Sequence, residues 1–196
     1  VRFTVGQPDF RTPQPVVDSA VIALEAGMHG YTRSQGTESA CKSVAEHLSK
    51  YGIDVDHNDV VISPGCKQAL LYAMMTCLNP GDEVILLSPA WPSYEGMLSL
   101  IGAVPVNVPV NRHNYHPDMD AIRSAITPKT KAIMVNSPNN PTGAVYLPSE
   151  IKELTDIAIE NDLWIFDDMI YSDLVYSEHA YVCLLYTSPS PRDWMV

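Results

Sequence analysis

No apolar run in this sequence approaches the roughly 20 residues that a membrane-spanning helix requires. The opening residues carry Asp, Gln and Pro where a secretory signal would have its apolar centre. The chain begins at Val1 rather than Met, which leaves room for a targeting segment upstream. Positive charge is scarce: 12 Lys and Arg stand against 23 Asp and Glu, a formal net charge of −11. Nucleic-acid backbones demand a basic surface, so the composition argues against a nucleic-acid partner. Any phosphate must therefore be held by local donors rather than by the overall field. Cysteine is sparse as well. Cys41, Cys66, Cys77 and Cys183 form no CxxC pair and join no His/Cys cluster with metal-ligand spacing. That argues for free thiols in a reducing, cytoplasmic compartment and against a bound metal. Internal repeats and low-complexity linkers are also absent.

What remains is the composition of a folded protein, 46% hydrophobic and 18% charged over 196 residues. That length suffices for one domain with a substantial core. Val1 to Val5 reads as a short β-like segment. A helix is expected after Thr12, an N-cap with Pro13 at the first helical position, and Val17, Ala20, Val21 and Leu24 form its apolar face up to Gly27. A second amphipathic helix is expected from Thr37 to Lys50, with Val44, Leu48 and Tyr51 facing inward. Val60-Val61-Ile62 reads as a short buried strand, and a helix from Gln68 to Cys77 follows Gly65-Cys66-Lys67. Strands are then expected at Glu83 to Leu87, Val104 to Val108, Lys131 to Val135 and Leu163 to Phe166. Helices at Trp91 to Leu100, Pro117 to Ile126 and Pro148 to Glu160 alternate with them. Near-continuous apolar strands between helices predict an α/β fold, a mostly parallel sheet covered on both faces.

Several strand exits carry chemistry. Ser137-Pro138-Asn139-Asn140-Pro141-Thr142-Gly143 is a polar loop stiffened by its prolines, placed where open α/β sheets bind ligands. Gly65-Cys66-Lys67 lies between a strand and a helix, the geometry of an anion site at a helix N-terminus. Trp91 sits between Pro89 and Pro92 at another exit, where an indole covers a planar ring or packs in the core. Asp168 ends an apolar strand, where a carboxylate needs a cationic or donor partner, a helix cap or a salt bridge. Tyr171 follows it by three residues, aimed at the same site or simply packed.

Taken in order, Gly-x-Pro-Asp-Phe from Gly6, Tyr31-Thr32, Gly-x-Lys-Gln-Ala-Leu from Gly65, Trp-Pro-Ser-Tyr from Trp91, Asn-Asn-Pro-Thr-Gly from Asn139 and Asp-x-x-Tyr from Asp168 form an ordered set. This set resembles the class I/II aminotransferases, fold-type I pyridoxal-phosphate (PLP) enzymes of the aspartate aminotransferase superfamily. The resemblance covers roughly residues 1–176 and implies a three-layer α/β/α large domain, incomplete here. It implies an edge segment of the small domain at 1–15 and the PLP-binding domain at 16–182. It also assigns roles. Asn140 would donate to the phenolic oxygen of PLP, Asp168 would pair with the pyridinium nitrogen, and Tyr171 would sit near the phenolic oxygen. Trp91 would stack on the ring, and Gly65, Cys66 and Lys67 would hold the phosphate. Tyr31 would reach the phosphate of a neighbouring subunit, implying a homodimer. Gly6, Trp91 and Asn140 would contact the substrate, an α-amino acid or a 2-oxo acid. The prolines of the Asn-Pro-Thr-Gly loop favour cis bonds in this family, so a cis bond is expected at Pro138, Pro141 or both.

Two departures stand out. The family's Schiff-base lysine lies a few dozen residues beyond Asp-x-x-Tyr, but Lys152 is the last lysine here, so no catalytic residue can be assigned. The family's carboxylate-gripping arginine near its C-terminus has no match either. From Cys183 to Asp193 the chain resembles a translated sequencing adapter, so 183–196 is expected to be a non-native tail. The resemblance implies an aminotransferase that runs by ping-pong exchange. C–S lyases, aminocyclopropane-carboxylate synthases and PLP-sensing regulator domains share the fold and remain alternatives.

Overall fold

The computed structural model describes residues 10–176. Strands β1 (Glu83–Ser88), β2 (Val104–Pro109), β3 (Thr130–Asn136) and β4 (Trp164–Asp168) pair in parallel, in the order β2-β1-β3-β4. The helices are α1 (Gln14–Glu25), α2 (Glu38–Ser49), α3 (Cys66–Cys77), α4 (Ser93–Ile101), α5 (Met119–Ala125) and α6 (Pro148–Glu160). Successive strand residues point to opposite faces, and both faces are apolar here. Ile85, Leu87, Ile133, Val135 and Ile165 share one face with Ile122 of α5 and with Ile151, Leu154 and Ile157 of α6. Val84, Leu86, Ala132, Met134 and Phe166 share the other with Leu70 and Met74 of α3 and Leu98 of α4. This is the three-layer α/β/α architecture that the alternating pattern predicts.

Local chemistry sets the helix ends. Pro148 opens α6, and the Glu150 carboxylate accepts the Leu147 N–H at 2.7 Å, so an otherwise orphaned donor is satisfied. The Asp118 carboxylate caps α5 by accepting the Ala121 N–H at 3.0 Å, which holds that helix to a shorter span than Pro117 to Ile126. Gly102 ends α4 in the left-handed conformation, φ 79°.

Several expectations need correction. The first helix is capped by Pro13 rather than Thr12, and it begins at Gln14. Its apolar face exists but is uncovered: α1 buries no residue, and Val17, Val21 and Leu24 are exposed. In α2 the fully buried residue is Cys41, while Val44, Leu48 and Tyr51 are only half-buried. Val60-Val61-Ile62 joins no strand ladder, and of its three side chains only Val60 is buried while Val61 and Ile62 are exposed. The Cys41 thiol donates to the Val60 carbonyl, and the Ile62 N–H to the Gln35 carbonyl at 2.8 Å, so this segment pairs with α2 and its approach instead of the sheet. The third helix begins at Cys66, ahead of Gln68, and α4 begins at Ser93, which leaves Trp91 in the strand exit. Val1 to Val5, Gly6 and the tail from 183 onward lie outside the described residues.

The strand order places the site. The connection from β1 leads to β2 on one side, and the next crossover returns to β3 on the other. The connections therefore diverge between β1 and β3, and in open α/β sheets that crevice, at the carboxyl ends of the strands, is where ligands bind.

Candidate active site

Four backbone exits converge on that crevice. A cavity of about 370 Å³ is lined by Gly65, Cys66 and Lys67 at the start of α3, Trp91 and Tyr94 after β1, Asn136 and Asn140 at the end of β3, and Asp168, Ile170 and Tyr171 after β4. Seven of the residues that the sequence singled out therefore meet in one place: Gly65, Cys66, Lys67, Trp91, Asn140, Asp168 and Tyr171. Tyr31 does not join them and is fully exposed, 109% of its reference area. Gly6 falls outside the described residues.

In the cavity wall, Gly65 adopts φ 90° and ψ 157°, and the carbonyl of Gly65 receives the Gln68 and Ala69 amides. The first amides of a helix have no intrahelical acceptor, so those of Cys66 and Lys67 remain to meet an anion. The same cavity is lined by the buried Asp168 carboxylate. Register explains its direction: Asp168 has the parity of Phe166, so it faces α3 and α4 rather than α6. Tyr94 donates its hydroxyl to Oδ2 of Asp168 at 2.6 Å. The Cys66 thiol donates to Oδ1 at 3.4 Å, and the Ile170 N–H to the same oxygen at 3.3 Å. Burial raises the proton affinity of both side-chain donors, and the neighbouring Asp168 adds to it. The thiol is pushed up to about 12 and the phenol is pushed up as well, so both stay protonated.

The roof comes from β1 and β3. Trp91 packs edge-on against Tyr94, with ring centroids 5.4 Å apart, and the Lys67 ammonium lies over the indole at 4.9 Å. Asn136 pairs in register with Asp168 and donates its side-chain amide to the Asp168 carbonyl at 2.9 Å, while its Oδ1 accepts the Asn140 N–H at 2.8 Å. One side chain thus ties the β4 exit to the loop from β3. Within that loop Asn139 Oδ1 accepts the Thr142 hydroxyl at 2.9 Å, and Asn139 is buried while Asn140 lines the cavity. The Ser137–Pro138 and Asn140–Pro141 bonds are both cis, as expected, and Ser88–Pro89 ahead of Trp91 is cis as well.

Sequence reading gave no role to Tyr94 or Asn136. Each had a signal: Tyr94 is three residues beyond Trp91, the spacing of one helical face, and Asn136 is the polar end of an otherwise apolar strand. The donor set suits a flat ring bearing an anionic arm and a protonated ring nitrogen. The arm would meet backbone amides and Lys67, the ring the Trp91 indole, and the N–H the Asp168 carboxylate.

Comparison with known proteins agrees. The family model for aminotransferase class I and II matches residues 1–194. A probable aspartate/prephenate aminotransferase of Thermus aquaticus is 40% identical over 173 residues, which are 87% of this chain and 45% of that protein. An aspartate aminotransferase of Musicola paradisiaca is 37% identical over 85% of this chain and 42% of its own length. Among solved structures, the aspartate aminotransferase of Thermotoga maritima superposes with a TM-score of 0.92 at 37% identity, covering 96% of this chain and 50% of that one. The Thermus thermophilus aspartate aminotransferase with maleate gives 0.91 at 39% identity, covering 95% and 49%. The chain spans about half the length of the relatives it matches. Fold, motif order and likeness coincide, and the chain belongs to the class I and II aminotransferases.

Proposed function

We propose that this chain forms the cofactor-holding part of a PLP-dependent aminotransferase that exchanges an amino group between an α-amino acid and a 2-oxo acid. One observation carries the reading: the start of α3, whose first amides have no helical acceptor, and the donor-clamped Asp168 carboxylate line one cavity together with Trp91. Bound pyridoxal phosphate supplies an electron sink for a carbanion at the substrate α-carbon. The chain's own residues bind and orient. The Cys66 and Lys67 amides and the Lys67 ammonium hold the phosphate, Trp91 covers the ring, and Asp168 keeps the ring nitrogen protonated. Asn140 and Tyr171, which line the same cavity, would donate to the ring oxygen. None of the six lysines follows Asp168, so the covalent lysine is not among these residues. The relatives' names make a dicarboxylic amino acid the substrate to test first.

A homodimer belongs to the same proposal. Val17, Val21 and Leu24 leave an apolar stripe uncovered on α1, and Tyr31 stands free beyond it. A second copy covering that stripe would bring Tyr31 to the partner's phosphate.

Titration of the chain with pyridoxamine 5′-phosphate tests the cofactor reading, because this form carries no aldehyde to react with surface lysines. One saturable site is expected by calorimetry. Asp168→Asn should weaken it about tenfold or more, the loss of a charge-assisted pairing. Equal affinity in the variant would contradict the assignment of Asp168.

A further inference from the structure

We infer that the Cys66 thiol is a positioning group for Asp168, holding the carboxylate in the plane that receives a ring N–H from the ligand. The inference rests on the cofactor reading above and extends it to a residue of which that reading uses only the backbone amide. An ionised carboxylate has about four acceptor positions. Three are taken: Oδ2 by Tyr94 at 2.6 Å, and Oδ1 by Cys66 at 3.4 Å and Ile170 at 3.3 Å. One direction remains for a ligand donor, and donors on both oxygens fix the carboxylate plane.

The surroundings explain why the thiol matters. Beside the main cavity lies a second, mostly apolar one of about 220 Å³, lined by Ala69, Leu70, Ala73, Phe166 and Met169 and bordered by Asp167. Cys66, Asp168 and Ile170 line both cavities and form the wall between them. An alanine at position 66 removes the side-chain donor and thins that wall, so Oδ1 keeps only the Ile170 N–H and the carboxylate is held less firmly in its plane. Burial keeps the thiol protonated throughout the neutral range, so it acts there as a neutral donor rather than as a competing anion. Tyr94 still holds Oδ2 in that variant, so the fold and the phosphate end stay in place.

Two probes separate this role from a structural one. Pyridoxamine 5′-phosphate carries the ring nitrogen, and its 1-deaza analogue has a C–H there and nothing to offer Asp168. Calorimetry on the 196-residue chain is expected to show Cys66→Ala weakening the first by roughly threefold to tenfold, the range of one modest hydrogen bond. The deaza analogue should bind the variant and the unaltered chain equally, and Cys66→Ser, which keeps a donor, should restore the first affinity. Equal losses for both probes, no loss for either, or a failure of Cys66→Ser to restore binding would each overturn the inference for Cys66. A chain that binds neither probe overturns the cofactor reading itself, and the inference with it.

Discussion

Gly65 holds φ 90° and ψ 157°, a backbone region essentially open to glycine alone, at the point where the chain turns into α3. A Cβ there would meet nothing within 4 Å, so the constraint is conformational rather than steric crowding. Gly65→Ala should therefore destabilise the fold by about 1–3 kcal/mol and disturb the amides of Cys66 and Lys67. Denaturant unfolding reads the first effect and phosphate-ligand titration the second, and a variant as stable as the parent would show that the turn can relax. Cys66 gives a pH signature. Its thiol is raised from 9.0 to about 12 by burial first and by Asp168 second. Between those values the folded chain keeps a proton that the unfolded chain has released, so stability is full below about pH 9 and falls as pH rises toward 12. Tyr94 shifts in the same direction and adds to the loss. Unfolding midpoints compared at pH 8 and pH 11 should decline, and Cys66→Ala should decline less steeply. A flat profile would place Cys66 in solvent.

Among the elements, α1 is the one whose sequence pattern and environment disagree. Its apolar positions were legible from helical spacing, but spacing says only that one face is apolar and not what covers it. Nothing among the described residues buries it, and Val21 and Leu24 stand about half exposed or more. If a second copy covers that face, the double variant Val17→Asp, Val21→Asp should convert a dimer to a monomer in sedimentation while its far-UV circular dichroism stays that of the parent. A parent chain that is already monomeric, or a variant that still dimerises, would contradict the dimer. By contrast α6 was legible to the residue, Pro148–Glu160, because its proline start, Glu150 cap and apolar periodicity are all local. Val60 to Ile62 misled because a three-residue apolar run is consistent with any buried segment. Only Val60 of the three is buried, with its carbonyl accepting the Cys41 thiol, while Val61 and Ile62 stay exposed, and only tertiary packing reveals that. The site divides in the same way. Asp168, Asn140 and Trp91 stand in ordered motifs at strand exits. Tyr94 acquires its role only when α4 packs across the sheet and brings its hydroxyl to β4, 74 residues away in sequence.

At the scale of the whole molecule, one topological fact organises the site. Because connections leave β1 and β3 on opposite sides, the loops at their carboxyl ends part and open a crevice. The parity of β4 turns Asp168 into it, and the start of α3 lines it as well. The cradle is thus built from local rules of handedness and alternation. The most direct test is a crystal structure of the chain soaked with pyridoxamine 5′-phosphate. The ring nitrogen should lie about 2.7–3.0 Å from Asp168, with the phosphate on the Gly65-Cys66-Lys67 backbone and the ring against Trp91. A ligand bound in the reverse sense, with its phosphate away from α3, would contradict the assignment of the site.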